Sequence, residues 1–162
     1  MASTNSSNVT VRHILPKSES KATNVTLPNH DSDRIESVGF LTAMVLTLLG
    51  NYAQTGHFGG PLAYTPFTVA SHLIGPELGG LKFDYRRPKH PYADKFMLAG
   101  GHNAPVTYAL WMIMGEALDR AHKKTGDDKY YADPSQSMLS IDALGFRRGQ
   151  AALNILLKEN NN

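Results

Sequence analysis

Cysteine is absent from the 162 residues of this chain, which excludes disulfides, thiolate metal sites and a cysteine nucleophile. That absence fits a reducing compartment. A dominant charge is missing as well: 16 basic side chains face 14 acidic ones, for a net charge of +2. Such a balance offers no electrostatic argument for a nucleic-acid or membrane partner. Long hydrophobic runs are lacking too. The most apolar stretch, residues 40–49, falls well short of the ~20 residues a membrane-spanning helix requires. Residues 1–30 have no apolar core of the secretory-signal kind, so a soluble, cytoplasmic protein is expected. Without such a signal, the triplets Asn8-Val9-Thr10 and Asn24-Val25-Thr26 are expected to be idle as glycosylation acceptors. A serine nucleophile elbow, a Walker loop and a full dinucleotide fingerprint are also missing.

What is present suits one domain. Hydrophobic residues make up 41% and charged residues 19%, an ordinary globular profile, and the length allows a single sizeable core. Residues 1–30 are rich in Ser, Asn and Thr. They cannot bury enough surface to offset their ordering entropy, which predicts a flexible polar arm, or alternatively a subunit-contacting one. The second unit is 31–162. There Asp31, Ser32 and Asp33 offer capping oxygens, and Ile35, Val38, Leu41, Val45, Leu48 and Tyr52 recur at helical spacing. Phe40, Met44, Leu46 and Leu49 widen that stripe, predicting a helix buried between other elements and ending before Thr55.

A second, shorter helix is predicted to open at Thr65 or Pro66, followed by a surface loop over 75–94 anchored by Leu81 and Phe83. Residues 95–99 form a compact apolar run between Asp94 and Gly100-Gly101, which predicts one short buried strand. Asn103 as a cap and Pro105 in the first turn predict another helix, with Val106, Leu110, Ile113, Ala117 and Ala121 as its stripe. Glu116 and Arg120 make a favourable i, i+4 pair on it. A last helical piece is expected through Ala151, Leu153, Ile155 and Leu156.

Two local patterns carry chemistry. In Gly56-His57-Phe58-Gly59-Gly60, glycines on both sides of a histidine let the backbone turn sharply and let a ligand come close. The plain alternative is a glycine-rich turn with a solvent-facing imidazole. In Gly100-Gly101-His102-Asn103, a predicted strand ends in glycines and runs into a helix. The free N–H groups and positive end of that helix favour phosphate. The plain alternative here is punctuation. His72 lies on an apolar helix and is expected to be a satisfied packing histidine. His13, His30, His90 and His122 are expected to be solvated. His57 and His102 lack the clustered partners of a metal site, and Arg86-Arg87-Pro88-Lys89 reads as a solvated loop.

Taken in order, four segments resemble transketolase. They are 55–62 (Thr-Gly-His-Phe-Gly-Gly-Pro-Leu), 81–84 (Leu-Lys-Phe-Asp), 94–102 (Asp-Lys-Phe-Met-Leu-Ala-Gly-Gly-His), and Leu139-Ser140-Ile141-Asp142 with Phe146-Arg147. Phe58 stands where the family's first histidine is usually followed by proline, and the stretch around 119–137 is longer than the family pattern. The resemblance implies an α/β protein, the first part of a parallel-sheet fold that binds thiamine diphosphate. Within this chain that fold would be mostly helical, with one short strand, and incomplete over 31–162.

It also implies a two-carbon ketol transfer from a ketose phosphate to an aldose phosphate. His57 and His102 would be catalytic, hydrogen-bonding substrate hydroxyls and shuttling protons, roles that suit imidazole. His102, with Gly101, would lie at the cofactor diphosphate. The complete enzyme would use Mg²⁺ and form a homodimer. Its metal-binding Gly-Asp-Gly motif and activating glutamate do not occur in this sequence, so the remainder of the enzyme or a second subunit would have to supply them. Two other readings stay open: another thiamine-diphosphate enzyme (a 2-oxoacid dehydrogenase E1 component or a deoxyxylulose-phosphate synthase), or a non-catalytic helical interaction module.

Overall fold

A computed structural model of the chain describes residues 9–11, 23–25, 31–54 and 56–147. Three helices organise them: α1 (Ser32–Ala53), α2 (Gly59–Leu73) and α3 (Pro105–Thr125). Each helix packs on the other two. Leu46 of α1 and Val106 and Ala109 of α3 lie wholly buried at the centre, with Val45, Phe58 and Leu98 against them. Val69 and Thr68 add the contribution of α2.

The helix ends follow local chemistry. Asp31 caps α1 by accepting a hydrogen bond from the Arg34 N–H at 2.9 Å. Gln54 closes it in the left-handed conformation, its N–H donating to the Gly50 carbonyl. The α2 helix begins at Gly59, six residues before the expected Thr65. Pro61 falls in the first turn, where its missing N–H is no loss, and so does not delay the start. Pro66 sits inside the helix, and Thr65 Oγ1 donates to the Pro61 carbonyl nearby. Pro105 opens α3 as expected, and Gly126 ends it with φ 66°.

The expected α/β parallel-sheet fold is not what the described residues form. They are helical apart from one short antiparallel pairing, Val9–Val11 with Thr23–Val25. Residues 95–99, expected to be a strand, pair with no neighbour among the described residues. They do alternate as a strand would, with Phe96 and Leu98 turned inward and Met97 87% exposed. Phe96 lies 4.9 Å from the His72 ring, and Leu98 reaches the helical core. An extended segment needs a partner backbone to become a sheet, and here helices flank it.

The α1 helix is also less covered than its broad stripe suggested. Thr42, Leu46 and Leu49 are buried, whereas Phe40 is 67% exposed and Leu48 63%. By length and composition alone α1 is long and apolar enough to cross a membrane, although its most apolar stretch, 40–49, is too short by itself. The expected helical piece over 151–156 lies outside the described residues. Near the end of the described chain, Ser140–Gly145 forms a short 3₁₀ helix. It is tied to α3 by Glu116 Oε1, which accepts from the Ser140 backbone N–H at 2.9 Å and from its hydroxyl. These bonds hold the Glu116 carboxyl below its ordinary value.

Candidate functional site

Between α1 and α2 the chain turns through Gly56, whose φ of 122° is open to glycine and disfavoured for other residues. Phe58, standing where the resemblance expects proline, anchors the turn. Its ring lies so close to Gly50 of α1 that a Cβ there would approach it to 3.0 Å. It also meets Phe146 edge-on at 6.4 Å. With Phe58 drawn inward, His57 is left exposed on the outside of the turn.

The second motif folds as a short 3₁₀ turn, Gly101–Asn103, leading into α3. His102 is exposed, while Asn103 is buried at 6% exposure. Asn103 does not cap α3: the N-cap is Ala104, with no side-chain bond. Its side chain instead presses on Gly60 at the start of α2. A Cβ on Gly60 would collide with Asn103 Oδ1 and come within 3.3 Å of His102 Nε2. The glycine is thus what lets the second turn close over the N-terminus of α2.

The two histidine motifs, 45 residues apart, therefore meet at Gly60. Three features that would suit an anion meet there. The Gly59 and Gly60 N–H groups begin α2 and make no hydrogen bond among the described residues. Both α2, from Gly59, and α3, from Pro105, begin within two residues of this contact, so the positive ends of both lie near it. The His102 imidazole covers it, whereas Asn103 Oδ1, buried beside it without a partner among the described residues, is an acceptor and calls for a donor rather than an anion. His57 stands three residues before Gly60 on the same loop.

Arg147 was not among the expected site residues. Its guanidinium stacks 5.9 Å over the Phe146 ring, and Nη2 lies 3.6 Å from where a Gly56 Cβ would be. It makes no ion pair among the described residues. Only its place in the Phe-Arg segment of the resemblance hinted at it. Asn103 reads in sequence as a cap, and no local pattern points to its contact with Gly60.

The other histidines divide. His122 stands 3.6 Å from Asp128 and packs against Tyr131, so it is less solvated than expected. His72 is buried, as expected, but only half satisfied. Its Nδ1–H donates to the Thr68 carbonyl at 2.7 Å, and Nε2 has no partner among the described residues. Burial among Phe83, Tyr85 and Phe96 pushes its pKa below the ordinary imidazole value.

The geometry suits the anionic end of a cofactor, with α2 amides and His102 as donors. It does not suit a metal or the activation of a thiazolium. Among the described residues no three His, Asp or Glu side chains stand together, and no carboxylate contacts the His57 or His102 ring.

A 36-residue stretch of the chain is 42% identical to Transketolase-like protein 2 of Homo sapiens, a match spanning 22% of this chain and 6% of that protein. No family model matches the chain, and no solved structure does. The chain thus shares a short transketolase-like segment.

Proposed function

We propose that the chain is the histidine-bearing part of a transketolase-like enzyme that moves a two-carbon ketol unit from a ketose phosphate to an aldose phosphate. The observation that carries this reading is the meeting of the His57 loop and the His102 turn at Gly60, over the N-terminus of α2. The Gly59 and Gly60 amides, Gly101 and His102 would hold the diphosphate of thiamine diphosphate, which supplies the carbanion that carries the ketol unit. His57 and His102, both exposed, would bond the substrate hydroxyls and move protons between them. Arg147 adds a cation beside the same loop.

The described residues offer neither a Mg²⁺ centre nor a carboxylate for cofactor activation, so a further polypeptide region would supply both. The bare side of α1 gives that region a place to pack. Leu41, Leu48 and Tyr52 there face Met112 and Ile113 of α3 across a groove of about 600 Å³. The purified chain alone is expected to show no thiamine-diphosphate-dependent ketol transfer. Turnover should appear only when a segment with the Gly-Asp-Gly motif and the glutamate is joined to it. Turnover by the chain alone would overturn the proposal.

The same bare face favours a second reading, a helical interaction module without catalysis. A chain that binds a partner through α1 and is indifferent to thiamine diphosphate would support it.

A further inference from the structure

We propose that a second ligand site, separate from the histidine loops, takes a small organic anion carrying an aromatic or aliphatic body. A cavity of about 380 Å³ opens between the C-terminal end of α2 and the loop over 81–93, within the size range of small-molecule sites. It is far from Gly60. His72, which helps to line it, lies twelve residues further along α2, or ~18 Å at the rise of an α-helix. The proposal does not rest on the ketol-transfer reading.

The lining divides into an apolar body and a cationic rim. Leu81, Phe83 and Tyr92 supply apolar surface, Lys82 and Arg87 supply positive charge, and His90 adds a ring donor. One carboxylate, Asp84, lines the cavity, but both its oxygens are already engaged. Arg86 Nε donates to Oδ1 at 2.9 Å and Nη2 to Oδ2 at 2.8 Å. Arg87 reaches the same carboxylate only loosely, at 3.6 Å, and is 69% exposed.

Lys82 holds its backbone N–H on Asp94 Oδ2 at 2.7 Å, while its ammonium has no hydrogen bond or ion pair among the described residues. Glu77 follows the lining residue Pro76 and Asp94 follows Ala93, yet neither carboxylate lines the cavity. His90 Nδ1 accepts from the Tyr92 N–H at 3.2 Å. The proton of the neutral ring therefore sits on Nε2, which makes that nitrogen a donor. At the floor lies the buried His72 ring, edge-on to Phe83.

Such a rim over such a floor selects an amphipathic anion. A bare inorganic anion gains nothing from Phe83 and Tyr92, and a neutral aromatic gains nothing from Lys82 and Arg87. The basic run Arg86-Arg87-Pro88-Lys89, read from the sequence as a solvated loop, thereby acquires a role. Arg86 occupies the local carboxylate and leaves Arg87 available.

The test is a titration of phenyl phosphate into the ¹⁵N-labelled chain, followed by amide shifts and calorimetry, with inorganic phosphate and benzyl alcohol as controls. Saturable shifts confined to residues 72–93 are expected, with both controls binding at least about tenfold more weakly. Lys82→Ala and Arg87→Ala should each weaken phenyl phosphate about fivefold. Both side chains are exposed, so neither change threatens the fold. Three outcomes would overturn the proposal: no saturable shift at millimolar ligand, affinity unchanged in the Lys82→Ala/Arg87→Ala double variant, or shifts at Gly59, Gly60 and Gly101 in place of those at 72–93.

Discussion

Gly59 and Gly60 are neighbours on the same helical turn, and their surroundings make opposite demands. A Cβ on Gly59 would meet open space, whereas one on Gly60 would drive into Asn103. Gly60→Ala is therefore expected to destabilise the chain by about 1–3 kcal/mol, the usual penalty of overpacking. Gly59→Ala should stay within about 0.5 kcal/mol of the parent. Urea unfolding of the two variants checks this, and equal effects would argue against the contact between the motifs.

His72 gives a second expectation at the same scale. Its folded pKa lies below the ordinary 6.5 because burial disfavours the charged ring. The unfolded chain then binds more protons below that value, so stability falls as pH drops through and below 6.5. The lowered carboxyls of Asp84, Glu116, Asp127 and Asp133 take effect only at more acid pH. His72→Phe should remove the loss that begins near 6.5 and leave the acid limb in place, as read from the unfolding midpoint against pH.

Among the elements, α1 shows what the sequence could and could not tell. Its existence and both ends were legible, because Asp31 offers a capping carboxylate and the break at 55–56 is rich in turn signals. Its inward face was not. The stripe through Leu41, Val45, Leu48 and Tyr52 reads as core, yet Leu46 and Leu49 are the leucines that the other two helices bury. Leu46→Ala should cost about 2–4 kcal/mol through the cavity it leaves. Leu48→Lys should change stability by no more than about 0.5 kcal/mol. If α1 docks on a further region, Leu48→Lys should nonetheless weaken that association, which a pull-down with the complementing segment would measure. The start of α2 is hidden in the sequence because Pro61 and two glycines look like a loop when read singly. The segment over 95–99 has the alternation of a strand, but strand formation depends on a partner that no local pattern encodes.

For the whole molecule, the residues of the candidate site were more legible than the contacts that join them. His57 and His102 stood out because glycines flank each, and the fold does join their loops. The joining residues escaped notice for a physical reason. The contact of Asn103 with Gly60 and the approach of Arg147 to Gly56 span 43 and 91 positions, and only tertiary packing creates them. The central claim is that these parts form one anion site at the start of α2. Titrating thiamine diphosphate into the ¹⁵N-labelled chain, with pyrophosphate as the reduced probe, tests it most directly. The Gly59, Gly60 and Gly101 amides should shift together and saturably with either ligand, and His102→Ala should abolish the response. Amides that stay still, or that move only in the 81–93 loop, would contradict the claim.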